Sequence, residues 1–174
     1  MPSEPPSHEI VIVKTLEERQ QCYDVRILVF HIEQKFPLET EIDELVSFPK
    51  PMEDSATHFL LRLIPSLSPI GTIRGFKYPG KDYYKLTRLA ILEEYRQFRF
   101  GRELVESLHN WVRQDALQNL ADNSDDFVEI VCHSQIPVKG FYAKLGYEPE
   151  GPEFDEDGDP HQKMIYRMPL QPSS

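Results

Sequence analysis

The spacing of apolar and polar positions divides the chain into short elements. His8 to Lys14 is a β-branched run of strand length. Thr15 interrupts it, and with Glu18 three residues on it has the form of a capping box, in which hydroxyl and carboxylate satisfy the first backbone donors of a helix. The pattern predicts a helix to about Gln34 whose apolar side takes Cys22, Tyr23, Ile27 and Phe30, at helical spacings. Residues 35–54, with Pro37, Pro49 and Pro51 among many carboxylates, read as a loop carrying at most a short helical turn.

Three β-rich runs follow, Ala56 to Ile64, Ile70 to Phe76 and Tyr83 to Leu92, and the turn residues at their joints predict consecutive antiparallel strands. From Gly101 to about Leu120 the residues Leu104, Val105, Leu108, Trp111, Val112 and Leu120 keep a helical rhythm, the clearest in the chain. Phe127 to Cys132 reads as a strand buried on both faces. A second helix is expected from near Pro137 to Gly146, then an acidic loop from Glu148 to Asp159 and a last strand from Gln162 to Leu170. This order gives an α/β (α+β) chain, a mixed sheet with helices packed on it.

Composition narrows the function classes. The 174 residues carry 29 Asp and Glu against 19 Lys and Arg, a net charge of −10, with 40% apolar residues. One domain over residues 9–170 fits this length, with a disordered tail at 1–8 and another at 171–174. The negative charge argues against nucleic acid and membranes as general partners, because both are bound through Lys and Arg neutralising phosphate. Cys22 and Cys132 are too few for a disulfide framework, and the amino end lacks the order of a signal peptide. A cytoplasmic location is expected, with the nucleus left open.

The chemistry concentrates in Leu86 to Arg102, where a strand runs through a short loop into the best helix. A helix amino terminus presents unpaired N–H groups and the positive end of the dipole, so it takes phosphate readily. Arg96, Arg99 and Arg102 crowd that terminus in an otherwise acidic chain. Spacing alone leaves two readings, an anion site or solvated side chains facing Glu93, Glu94 or Glu103. The segment lacks both the P-loop pattern and the three-glycine dinucleotide fingerprint.

Arg96-x-x-Arg99-x-Gly101 after a strand resembles the Arg/Gln-x-x-Gly-x-Gly/Ala acetyl-CoA loop of the GNAT acetyltransferases. The segment Gln135 to Tyr147, with Phe141, Tyr142 and Gly146, is similar to that family's Asn-x-x-Ala-x-x-x-Tyr-x-x-x-Gly-Phe segment. Val29-Phe30-His-Ile-Glu33-Gln34, Glu41-Ile42-Asp43, Ser134-Gln135 and the stretch Asp157 to His161 with Met164 resemble its ElaA/YjcF-type branch. The resemblance implies the GNAT fold, a mixed, mostly antiparallel sheet with splayed central strands. It also implies acetyl-CoA as donor, a ternary complex, and an amine acceptor on a small molecule or peptide; it leaves a homodimer open.

By residue, the resemblance assigns pantetheine pairing to Leu89, Ala90 and Ile91, and pyrophosphate binding to the loop Arg96, Gln97, Phe98, Arg99, Phe100, Gly101 and Arg102. Arg99 occupies a position that the family fills with glycine, and Gln135 stands where it usually has Asn. Tyr142 is implied as the general acid that protonates the leaving thiolate; read without the resemblance it is a core aromatic beside Phe141. Close relatives tend to carry Glu where Thr87 stands, so Glu33 is the leading candidate base, with Asp43, His133 and His161 behind it. Glu33, Gln34, Asp43 and His161 are the acceptor-side candidates, each with a bland reading as a solvated or structural group. Two further readings remain: a CoA-binding module without turnover, and an amino-sugar-phosphate acetyltransferase. No metal site is expected, because Asp155-x-Asp157-x-Asp159 continues into Pro160 rather than the glycine of a calcium loop. Cys132 and His133 point to opposite faces of a strand and form no nucleophile–base pair.

Overall fold

Thr15 caps the first helix in the computed structural model, its hydroxyl accepting from the Glu18 N–H at 3.1 Å while the Glu18 carboxylate accepts from the Thr15 N–H at 3.2 Å. The structure describes residues 3–41, 55–119 and 126–171. Strand β1, His8–Ile12, leads into α1, Leu16–Arg26. The helix then widens, and Ile27–Glu33 winds as a π-helix, closed by a Gln34 N–H to Val29 carbonyl bond of 3.0 Å that spans five residues. The wider turn shifts the buried side. Val25 and Val29 pack on Ala90, with Phe30 and Leu92 beside them, whereas Ile27 stays half-buried outside that cluster. A 3.6-residue rhythm assigns the face differently because it presumes α winding throughout.

Strands β2 (Thr57–Leu63), β3 (Pro69–Lys77) and β4 (Tyr83–Ile91) match the three expected runs. Helix α2 is Phe100–Asn119, and Leu120 lies outside the described residues. Strand β5, Phe127–Gln135, runs three residues further than expected. The second helix is shorter than expected: a 3-10 turn at Ile136–Val138 and then α3, Lys139–Ala143. The acidic stretch is not a loop. It holds β6 (Glu148–Pro149) and β7 (Phe154–Glu156), and β8 starts at Asp159 and ends at Pro169. A two-residue turn, Asp157-Gly158, with φ of 54° and 87°, closes β7 onto β8 and sets Glu156 opposite Asp159.

Among the described residues the strands form one sheet in the order β1-β2-β3-β4-β5-β8-β6, with β7 also on β8. Antiparallel pairs dominate; β4 and β5 run parallel, registered over Tyr83–Lys85 against Glu129–Val131. The chain divides into two compact units, Met1–Gly75 with Arg88–Leu108 and Phe76–Thr87 with His109–Ser174.

In the first unit Phe59, Leu60, Leu61, Ile73, Phe100 and Leu104 are all buried. Gly71 marks a close approach of β3 to β4, since a Cβ there would lie 2.7 Å from Ile91 Cδ1. In the second unit β5 is flanked over its whole length by β8, Phe127 opposite Pro169 and Gln135 opposite His161. His109, Tyr147 and Tyr166 cluster there, with the Tyr147 hydroxyl 2.8 Å from His109 Nε2. Gly146, at φ 95°, leaves room for the Tyr166 ring, which a Cβ would meet at 2.7 Å.

Candidate active site

The alternation of buried side chains along β4 places Tyr84 and Leu86 inside, then breaks, so that the adjacent residues Ala90 and Ile91 are both buried. Arg88 lies at the break with φ 54°, a left-handed residue within a strand. A non-glycine residue in that conformation is uncommon, and it bulges the strand locally. Leu89, Ala90 and Ile91, the expected pantetheine-pairing residues, therefore follow directly on a bulge. After them Leu92 still donates to the Ile70 carbonyl at 2.9 Å, which fixes the strand end.

The loop next to this strand is a 3-10 turn, Glu93–Phe98, ended by Arg99 in the left-handed conformation at φ 62°, ψ 21°. The resemblance leads one to expect a glycine here, and a residue without Cβ enters that region at no steric cost. The Arg99 carbonyl accepts from Arg102 and Glu103, at 3.1 and 3.3 Å, and so opens α2. The first N–H groups of a 20-residue helix have no partner within it, and they sit beside this turn.

The three arginines divide in role. Arg96 forms a fork on Glu33, Nη1 to Oε1 at 2.7 Å and Nη2 to Oε2 at 2.6 Å, and its Nε donates to the Ile91 carbonyl at 3.0 Å. Arg102 is tied to Glu106 at 2.8 Å, one turn along the helix. Arg99 is exposed, and its guanidinium has no ion pair or hydrogen bond among the described residues. The Glu103 carboxylate in the first turn faces His8, whose Nε2 lies 2.7 Å from it while Nδ1 lies 2.8 Å from the Pro6 carbonyl. Both partners are acceptors, so both ring nitrogens carry protons and His8 is an imidazolium. Burial pulls its pKa down, but the Pro6 carbonyl and the Glu103 carboxylate outweigh this and raise it above the usual histidine value. Glu103 and Glu106 are thus both neutralised at the helix start, where a bare carboxylate would repel a phosphate.

Arg96 holds Glu33 below the ordinary carboxylate range, which makes Glu33 a weaker proton acceptor. Gln34 ends the π-helix and is exposed. Asp43 lies outside the described residues. Glu41, which the sequence shows only as part of a motif, is buried, and the guanidinium Nε of Arg26 and that of Arg88 stand 3.5 and 3.7 Å from its Oε2.

In the second unit Tyr142 is buried in α3 with Phe141 and Tyr147 edge-on to it at 5.1 and 5.5 Å. Burial, with Cys132 adding to it, pushes the phenol well above its usual pKa, so the proton stays on the oxygen. No hydrogen-bond partner for that hydroxyl is found among the described residues. Gln135 ends β5 opposite His161. His161 is buried, its Nδ1 bonded to the Asp159 carbonyl at 2.8 Å, as expected of a turn-organising residue. Among the described residues no group of three or more His, Cys, Asp or Glu is arranged to hold a metal ion, and no helix is long and apolar enough to cross a membrane.

Residues 47–168 match the family model described as an acetyltransferase (GNAT) domain. The chain belongs to the GNAT acetyltransferase family. A provisionally named acetyltransferase of Bacillus subtilis (strain 168) is 29% identical over 150 residues, 85% of this chain and 88% of that protein. YjcF of the same organism, an uncharacterized N-acetyltransferase, is 28% identical over 156 residues, 89% of this chain and 96% of its own. Among solved structures, Escherichia coli ElaA aligns with a TM-score of 0.68 at 16% identity, covering 92% of this chain and 99% of ElaA, and so shares the GNAT fold. GNAT enzymes generally use acetyl-CoA or another acyl-CoA as donor and act on amine acceptors.

Proposed function

We propose that this protein is an N-acetyltransferase that uses acetyl-CoA and transfers the acetyl group to a primary amine of a small molecule or peptide by direct attack in a ternary complex. The observation that carries this reading is the left-handed Arg99 between a 3-10 turn and the start of α2, the backbone form that a phosphate-binding acetyl-CoA loop requires. The residues present fit a pyrophosphate. Backbone N–H groups where the loop opens α2 supply the donors, Arg99 supplies a guanidinium, and the carboxylates of Glu33, Glu103 and Glu106 are paired. Leu89, Ala90 and Ile91 pair with the pantetheine arm, and the Gln135 amide bonds to it. The bound donor supplies a thioester carbonyl and a thiolate leaving group.

Tyr142 is the general acid in this reading, because its phenol is held protonated and its hydroxyl is uncommitted. Glu33 acts by holding Arg96 and the end of β4 rather than by taking a proton. The net charge of −10 favours encounter with cationic acceptors such as polyamines, aminoglycoside-like amines or lysine side chains. Gln34, Asp43 and His161 are acceptor-side residues, and residues 9–170 form one catalytic domain, a span that contains the matched 47–168. A second reading, CoA binding without turnover, draws on Thr87, Arg99 and Gln135 departing from the family pattern. Thiol release from acetyl-CoA with a panel of amines, measured beside a CoA-induced thermal shift, separates the two.

A further inference from the structure

Strand β5 and the β7–β8 hairpin bring His133, Glu156 and His161 together in the second unit. His133 Nδ1 lies 2.8 Å from Glu156 Oε1. Glu156 Oε2 lies 3.7 Å from His161 Nε2. The ring of Phe154 stands edge-on to His133 at 5.0 Å and inclined by 29° to His161 at 6.3 Å. A carboxylate only accepts, so Nδ1 of His133 carries a proton and Nε2 is the position where the ring can present a lone pair. His133 is 29% exposed at its side chain, and Nε2 has no hydrogen-bond partner among the described residues. His161, at 7%, is closed off and already bonded through Nδ1.

We propose that His133, oriented by Glu156, is the general base that takes the proton from the acceptor amine. This inference rests on the acetyl-transfer reading and adds the residue that Thr87 leaves wanting. The arrangement is an imidazole held in one tautomer by a carboxylate, with the other nitrogen open, as proton-abstracting histidines require. His133 and Cys132 face opposite sides of β5, and Tyr142 interacts with Cys132, so acid and base flank the same strand. The acceptor is a neutral primary amine. Its nitrogen bonds to the acetyl carbon and the carbon–sulfur bond breaks with the electron pair going to sulfur. His133 Nε2 takes the surplus proton from nitrogen, Tyr142 gives its proton to sulfur, and solvent returns a proton from the imidazolium to the phenolate. Among the described residues, Glu156 on β7 bonds to His133 and Lys163 on β8 stands opposite it, with His161 on β8 and Lys85 on β4 beside Glu156. Lys85 is held below its usual pKa by burial, and Glu156 below its own by the His133 hydrogen bond.

The test uses the full chain with acetyl-CoA and four probe amines: spermidine, kanamycin, a lysine peptide and glucosamine 6-phosphate. With the amine that turns over, His133→Ala is expected to lower kcat about a hundredfold or more, leave KM for acetyl-CoA unchanged, and regain rate in proportion to added imidazole. His133→Asn, which keeps a donor for Glu156, is expected to lose the same rate while melting at the wild-type temperature. Glu156→Gln is expected to lower kcat less and to move the acidic limb of the pH profile. Wild-type rates in both His133 variants, or a loss in His133→Ala that imidazole does not touch while His133→Asn stays active, overturn the base assignment alone. Absence of amine-dependent thiol release in the wild type with every probe removes the acetyl-transfer reading and this inference with it.

Discussion

Arg96 and Glu33, 63 residues apart in sequence, meet in a two-bond fork of 2.7 and 2.6 Å that ties the end of the π-helix to the loop opening α2. Each side chain was a candidate for chemistry on its own, Arg96 for phosphate and Glu33 for proton transfer. Paired, each limits the other: the guanidinium geometry is committed to a carboxylate, and the carboxylate is held ionised.

Glu33→Gln is therefore expected to free Arg96 and tighten CoA binding a few-fold by calorimetry, while leaving kcat within about threefold of wild type. Both partners are more than a third exposed, so the stability cost stays at about 1 kcal/mol or less after solvent screening. The folded pKa of Glu33 is lowered, so this contribution is present above about pH 4.3 and fades as the pH falls through the lowered value. A collapse of kcat in Glu33→Gln with unchanged CoA affinity would return the base role to Glu33.

Arg99→Gly removes a side chain from a left-handed position and should raise the melting temperature by about 2–4 °C, for up to about 1 kcal/mol of relieved strain. CoA binding is expected to persist, weakened less than about tenfold, because backbone donors remain. Complete loss of binding would make Arg99 the main phosphate ligand.

Tyr142→Phe should cut thiol release by about a hundredfold or more. CoA affinity should not change, and the melting temperature should hold, since the hydroxyl removed has no partner among the described residues. Unchanged turnover would take Tyr142 out of the mechanism.

His8 and Glu103 give a pH signature. The folded pKa of His8 is raised, so its stabilising contact is fully present below about pH 6.5 and is lost as the pH rises through the raised value. Denaturation curves from pH 6 to 9 should show wild-type stability falling over that window more than Glu103→Gln does. Parallel pH dependences would mean that His8 is not held as an imidazolium.

Much of this was legible from sequence because the strands and α2 are written in apolar spacing, and the capping box at Thr15 in two residues. The π-helix was not, because nothing in Ile27 to Glu33 distinguishes a five-residue bond from a four-residue one. Strand β7 hid inside a mostly exposed acidic stretch in which only Phe154 and Glu156 turn partly inward; Asp157-Gly158 carried the hairpin signal there. The acetyl-CoA loop was legible as a motif, but the fate of its arginines was not. Which carboxylate each meets depends on residues a loop or a whole strand away, and the His133–Glu156 contact has the same character. Pairing of charges across strands leaves no periodic trace in a sequence.

The most direct test of acetyl transfer is the release of free CoA from acetyl-CoA by the wild-type protein with and without each probe amine, with the amine product weighed by mass spectrometry. Amine-dependent release, one CoA for each acetyl group gained by the amine, is the predicted result. A clear thermal shift on adding CoA with no amine-dependent release for any probe would contradict acetyl transfer and leave a CoA-binding module, and no shift at all would contradict CoA binding as well.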